Sequence, residues 1–213
     1  VNCTAEVKAE CHITCTSSNA AQVVEAIAAE WNTDTVILVP DQYLAKNVAA
    51  QTGIRVMTWP GACEVHEMFS ADDVEQLREA HPGVVILAHP ECPPDVLEAA
   101  DFAGSTSALA NYVAEESPNK VVLLTECSMS DNVASANPNV NFIRPCNLCP
   151  HMKRITLENI YDCLVTGEYE VLIPEDVRVR AKEALDAMMA LPKMVKPLAF
   201  KTGLKPLELE MVV

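Results

Sequence analysis

Two cysteine-bearing loops hold the residues best suited to chemistry. Trp59-Pro60-Gly61-Ala62-Cys63-Glu64-Val65-His66 follows a β-like segment, and Ile143-Arg144-Pro145-Cys146-Asn147-Leu148-Cys149-Pro150-His151-Met152 repeats the arrangement, with Cys149 86 residues after Cys63. Each loop places a cysteine beyond a Pro- or Gly-marked turn, where functional side chains commonly sit on a rigid scaffold. Placed alike in two copies of one unit, Cys63 and Cys149 suggest two corners of a shared metal site. The plainer alternative is a pair of buried thiols acting as small hydrophobes. A third copy, a further 86 residues upstream, would fall before Val1, so a third ligand would belong to a segment that this chain lacks. Three thiolates leave one corner of a cubane iron–sulfur cluster open, and iron there can act as a Lewis acid on a substrate oxygen. Cys146-x-x-Cys149 also has the spacing of half a structural zinc site or of a redox pair, but no second C-x-x-C accompanies it.

A second constellation is His89-Pro90-Glu91, directly after the apolar run Val84-Val85-Ile86-Leu87-Ala88. A carboxylate at a dry strand end can have its pKa raised enough for proton transfer, which makes Glu91 a general acid/base candidate. Its alternative role is capping the helix that begins near Pro93-Pro94. Ser17 and Thr106 fall at expected helix N-termini, where a hydroxyl, unpaired N–H groups and the helix dipole together suit an anion. His66, three residues after Cys63, is either a site residue or a packed histidine.

The elements that position these groups alternate between strand and helix. Extended segments are expected at His12–Cys15, Thr35–Val39, Ile54–Thr58, Val84–Ala88, Asp101–Ala103, Lys120–Leu124 and Val140–Ile143, with Thr35–Val39 read as a fully buried parallel strand. Helices are expected at Ala5–Glu10, Ala20–Glu30, Tyr43–Gln51, Ala71–His81, Pro94–Ala100, Ala108–Glu116, Asp131–Ala136, Ile155–Thr166 and Glu175–Ala190. Residues from Leu191 onward show no clear period. The landmarks recur: Ser17 to Ser105 is 88 residues, Asp41 to Glu126 is 85 and Asn2 to Glu91 is 89. Duplicated βα units with small loop changes account for that near-constant offset. Alternation of this kind implies parallel sheets with right-handed crossovers, and ligands at the carboxyl ends of the strands. The fold expected is therefore α/β, with pseudo-symmetric repeated three-layer α/β/α domains around a central cluster site. The expected boundaries are one repeat over 1–63 with its start missing, a second over 64–149 and C-terminal helices over 150–213.

Composition narrows the partners. A formal charge of −15 would repel a phosphate backbone, so no nucleic acid is expected. No run approaches the roughly 20 apolar residues of a membrane span, and no signal-peptide pattern opens the chain. Nine cysteines in a cytoplasmic-looking α/β sequence point to thiols and metal rather than a disulfide framework. Beginning at Val1, the chain reads as a processed or truncated piece of something longer.

In order, Val1-Asn2 with Thr4-Ala5-Glu6-Val7-Lys8-Ala9, Thr16-Ser17-Ser18-Asn19-Ala20, Pro40-Asp41-x-x-Leu44, Trp59-Pro60-Gly61-Ala62-Cys63-x-Val65-His66, His89-Pro90-Glu91, Gly104-Ser105-Thr106 and Cys149-Pro150-x-Met152-Lys153 resemble the quinolinate synthase family. The resemblance extends to about Ala190. It implies a [4Fe–4S] cluster held by one cysteine from each of three pseudo-symmetric domains, with Cys63 and Cys149 as two of the ligands. It also implies condensation of iminosuccinate (iminoaspartate) with dihydroxyacetone phosphate to quinolinate in NAD biosynthesis, coupled to an iminoaspartate-producing enzyme. Val1, Asn2, Ser17, His89, Pro90, Glu91, Ser105 and Thr106 then stand where the family contacts substrate, with Glu91 and His66 catalytic. Ala45 stands where the family usually has Gly. The family's first domain, with its third cysteine, is absent, so the chain is expected to be incomplete and its C-terminal helices to pack on that absent domain. Two rival readings are a non-catalytic metal-binding α/β fragment and a redox module using Cys146 and Cys149.

Overall fold

The computed structural model describes residues 3–145, 147–192, 199–200 and 210–211. The chain divides into two compact units, one of Val1–Thr14 with Leu148–Pro192 and the other of Cys15–Asn147 with Lys193–Val213.

The larger unit is α/β with two sheets of mainly parallel strands. β1 (Thr35–Leu38) pairs parallel with β2 (Arg55–Thr58), which pairs with β8 (Glu210–Met211). The second sheet has the order β6-β5-β3-β4-β7, comprising β3 (Val85–Ala88), β4 (Phe102–Gly104), β5 (Lys120–Leu124), β6 (Asn141–Ile143) and β7 (Ala199–Phe200). Among the described strands, β7 alone runs antiparallel to its neighbour. Helices α2 (Ala20–Glu30), α3 (Gln42–Thr52), α4 (Ala71–Ala80), α5 (Pro94–Ala99), α6 (Thr106–Glu116) and α7 (Cys127–Ala136) fill the crossovers.

The two-residue period of a strand explains how the second sheet is buried on both faces. Ile86, Ala88, Val122 and Leu124 join one apolar cluster with Val24, Val48 and Val96. The intervening Leu87, Val121 and Leu123 join another with Leu109, Val113 and Val133. Helices thus cover both sides, the three-layer arrangement expected from the continuous apolar runs at Val84–Ala88 and Lys120–Leu124.

β1 departs from expectation. Ile37 is 59% exposed, because β1 lies at one end of the order β1-β2-β8 instead of inside a sheet. The segment around His12–Cys15 also forms no strand. In the smaller unit the Thr14 N–H donates to the Ala184 carbonyl at 3.0 Å, so a helix takes the hydrogen bond a ladder would have used.

The smaller unit is helical: α1 (Ala5–Ala9), a 3₁₀ turn (Met152–Arg154), α8 (Leu157–Thr166) and α9 (Glu175–Ala190). α9 packs on α1, with Arg180 paired to Glu10 at 2.5 Å and Ala184 buried. α8 begins in a Thr156/Asn159 capping box and ends at Gly167 with φ 73°, a left-handed cap for which glycine has no steric penalty. Its Leu157 and Leu164 are each 81% exposed. Among the described residues, no helix is long and apolar enough to cross a membrane.

Candidate functional site

Three strand ends converge in the larger unit. Cys63 and His66 follow β2, His89 and Glu91 follow β3, and Thr125 follows β5 directly. Cys63 and His66 lie in one turn closed by the Glu67 N–H donating to the Cys63 carbonyl at 2.9 Å, and the three-residue spacing puts both side chains on one side of it. A ligand atom from each of Cys63, His66 and Glu91 lies within 4.8 Å of the other two. His66 Nδ1 is 3.1 Å from Glu91 Oε2, and His66 Nε2 is 2.9 Å from Thr125 Oγ1. The His66 and His89 rings stack with centroids 4.3 Å apart. His89 Nδ1 accepts the Glu91 N–H at 3.3 Å, which closes the turn between the two residues.

Buried polar groups from neighbouring elements hold these loops in place. Asp41 caps α3 by accepting the Leu44 N–H at 2.7 Å, while its other oxygen accepts the Cys63 N–H at 2.9 Å. Asn47 of α3 donates to the carbonyls of Pro90 and Cys92 at 2.8 and 3.2 Å. α3 therefore anchors both the cysteine loop and the His89-Pro90-Glu91 turn. Gly61 is needed beside this anchor, because a Cβ there would lie 2.7 Å from the Pro40 carbonyl oxygen. The second half repeats the device: Glu126 caps α7 and pairs with Asn147, two residues before Cys149 in sequence, as Asp41 pairs with Gly61, two before Cys63.

The electrostatics follow from three ionisable groups sharing one dry space. Burial by itself would lower the His66 pKa, but Cys63 and then Glu91 outweigh it and raise it to about 9. Burial likewise works to raise the Cys63 pKa, and its contacts with His66 lower it on balance. His89 is pushed down to about 3, first by burial and then by the charge of His66, so it stays neutral. Asp41 is raised to about 6 by burial, with the Glu91 charge adding to the effect.

Glu91 reverses the expectation from sequence. Burial alone would raise its pKa, but its hydrogen bond with His66 lowers it on balance, so Glu91 is a carboxylate at neutral pH. The sequence showed the dry strand end but not the imidazole that meets it from the Cys63 loop.

The structure brings Cys63, His66, His89 and Glu91 together, with the buried Pro90 at the turn between the last two. Ser105 is 2% exposed and caps α6 by accepting the Ala108 N–H, leaving Thr106 exposed at the first position of the helix. Ser17 is half-buried in the turn before α2, where Asn19, not Ser17, accepts the Thr16 N–H. Cys149 is half-buried in the smaller unit, ahead of the 3₁₀ turn, and is not in a disulfide. Val1, Asn2 and Cys146 lie outside the described residues. The hold of Asp41 on the Cys63 loop and the contact of Thr125 with His66 are not legible in the sequence. Asp41 carried one signal, the repeat offset it shares with Glu126, whereas Thr125 carried none beyond its place at a strand end.

The profile of the quinolinate synthetase A protein family matches residues 1–190. The chain is 57% identical over 197 residues to the quinolinate synthase of Caulobacter vibrioides, covering 92% of this chain and 54% of that protein. It is 56% identical over 189 residues to the quinolinate synthase of Agrobacterium fabrum, covering 89% and 54%. With the quinolinate synthase of Xylella fastidiosa it shares 55% over 191 residues, covering 90% and 55%. The chain thus spans about half the length of the curated relatives it matches.

Proposed function

The chain belongs to the quinolinate synthetase A protein family, and we propose that its site serves the condensation of iminosuccinate with dihydroxyacetone phosphate to quinolinate in the cytoplasm. One observation carries the reading: a buried imidazole, His66, is held among Cys63, Glu91 and Thr125 at three strand ends. Such a grouping of coupled ionisable residues at strand ends is where α/β sheets place reactive sites.

Cys63 and Cys149 would each hold one corner of a [4Fe–4S] cluster, with a third ligand from outside this chain. The donor chemistry fits at Cys63, whose thiol is shifted toward thiolate by a buried imidazole. When bound, the cluster supplies a Lewis-acidic iron for a substrate oxygen. The chain's own residues handle protons and orientation. Glu91, ionised and 3.1 Å from His66, takes a proton from the condensing substrate, and protonated His66 returns one to a departing oxygen. Neutral His89, stacked on His66, fixes its ring plane. Val1, Asn2, Ser17, His89, Pro90, Ser105 and Thr106 bind substrate, with the phosphate favoured at the N-terminal end of α6. Residues 1–63 and 64–149 serve as the two repeats. The exposed Leu157 and Leu164 of α8 then cover a further domain of the longer relatives. An iminoaspartate-producing enzyme supplies the first substrate.

The test joins this chain to the N-terminal part of the Caulobacter vibrioides relative and reconstitutes it anaerobically. About four iron and four sulfide per chain are expected, lost in Cys63→Ala and in Cys149→Ala. A full cluster in both variants would overturn the ligand assignment.

A further inference from the structure

We propose that, in the cluster-free chain, Cys63, His66 and Glu91 form a mononuclear site for a divalent transition-metal ion of the zinc class, with the fourth position open. The geometry supplies a sulfur, a nitrogen and an oxygen donor within 4.8 Å of one another, from one turn and one strand end. A tetrahedral ion with bonds of about 2.0 Å to nitrogen and oxygen sets those two donors about 3.3 Å apart. His66 Nδ1 and Glu91 Oε2 are already 3.1 Å apart. The thiolate lies within 4.8 Å of both donors, and a tetrahedral site sets it about 3.5 Å from each, so a shift on the order of an ångström from one half-buried side chain brings it to bonding distance.

A buried nitrogen facing a carboxylate points to the ligand. The His66 side chain is 9% exposed, and its Nδ1 is buried without an aligned hydrogen-bond partner among the described residues. Glu91 Oε2 faces this nitrogen at 3.1 Å, and a metal ion between the two gives both a partner of ideal geometry. Nε2 lies 2.9 Å from Thr125 Oγ1, and with Nε2 donating there a metal ion that displaces the Nδ1 proton gains that nitrogen's lone pair. His89 is not a competing ligand at its Nδ1, which accepts the Glu91 N–H. A thiolate and a carboxylate balance a dication, and the mixed donor set selects zinc-like ions over magnesium or calcium. Outside the ligands, Thr125 orients His66 and Asp41 holds the Cys63 N–H, the supporting contacts such sites require. The open fourth position is the feature that separates catalytic from structural zinc sites. A lone ion on the Cys63 thiolate would compete with ligation of a cluster by the same sulfur. The inference stands whether or not the cluster reading does.

The test titrates the reduced, cluster-free chain with Co²⁺, which reports tetrahedral ligand-field bands and a thiolate-to-metal charge-transfer band, and then displaces it with Zn²⁺. One equivalent is expected to develop both signals. Cys63→Ala should abolish the charge-transfer band. Glu91→Gln, which keeps shape and hydrogen bonding, should weaken binding at least tenfold. Thr125→Val should weaken it by about tenfold, with Thr125→Ser restoring it. Far-UV circular dichroism confirms that each variant is folded. Charge transfer persisting in Cys63→Ala would assign the ion to other cysteines and overturn the site. Unchanged affinity in Glu91→Gln, or no Co²⁺ signal at all, would overturn it equally.

Discussion

Asp41 accepts the backbone N–H of Cys63 at 2.9 Å with one carboxylate oxygen while the other caps α3. One buried side chain thus fixes both a helix start and the loop that presents the thiol. Asp41→Ala removes a cap and leaves the Cys63 donor without its partner. Losses of about 1 kcal/mol for the cap and about 1–3 kcal/mol for the unpaired donor are expected in urea unfolding at neutral pH. A loss below about 0.5 kcal/mol would show that the loop holds itself.

The pH dependence of the metal-free chain follows from which state binds each proton more tightly. His66, raised to about 9 from 6.5, favours the folded state below pH 6.5, and that contribution is lost as pH rises through 9. His89, pushed down to about 3, contributes stability above pH 6.5 that is lost as pH falls toward 3. Asp41 binds its proton more tightly when folded, so its contribution falls as pH rises from 3.8 through 6. Ring-nitrogen and carboxyl NMR titrations should place His66 near 9 and Asp41 near 6. A His66 midpoint below 6.5 would contradict the coupling to Cys63 and Glu91.

Cys63 should be the chain's activated thiol among its half-buried cysteines, because His66 favours its thiolate. Alkylation followed by peptide mass spectrometry should find Cys63 modified ahead of Cys11, whose pKa is raised by burial. In His66→Ala the Cys63 rate at pH 7 should drop about tenfold as the thiolate fraction falls. An unchanged rate would mean that exposure alone governs reactivity there.

Gly61 tests the loop from its backbone side. Gly61→Ala places a Cβ 2.7 Å from the Pro40 carbonyl oxygen, a backbone atom that cannot swing aside. A destabilisation of about 1–3 kcal/mol is expected, as for other overpacked sites, together with a changed Cys63 alkylation rate. Wild-type values for both would show that the turn has slack.

Much of this was legible beforehand, for identifiable reasons. The continuous apolar runs Val84–Ala88 and Lys120–Leu124 named the strands buried on both faces, and α9 was bounded at Glu175–Ala190 by the proline before it. The repeat offset singled out Cys63. The errors arise where the tertiary partner decides. Ile37 lies in a run as apolar as the others but on an edge strand. The extended segment around Thr14 meets α9 instead of a strand. Glu91 does sit at a dry strand end, yet an imidazole from 25 residues earlier in the chain reverses its pKa shift. No local pattern marks Thr125 as the partner of His66, since that contact spans 59 residues.

The most direct test of the central claim is quinolinate formation by the reconstituted joined protein, given iminosuccinate and dihydroxyacetone phosphate. The account predicts quinolinate from the wild-type sequence and a fall of at least about a hundredfold in Glu91→Gln, with iron and sulfide content unchanged. A reconstituted cluster without quinolinate, or full activity in Glu91→Gln, would contradict it.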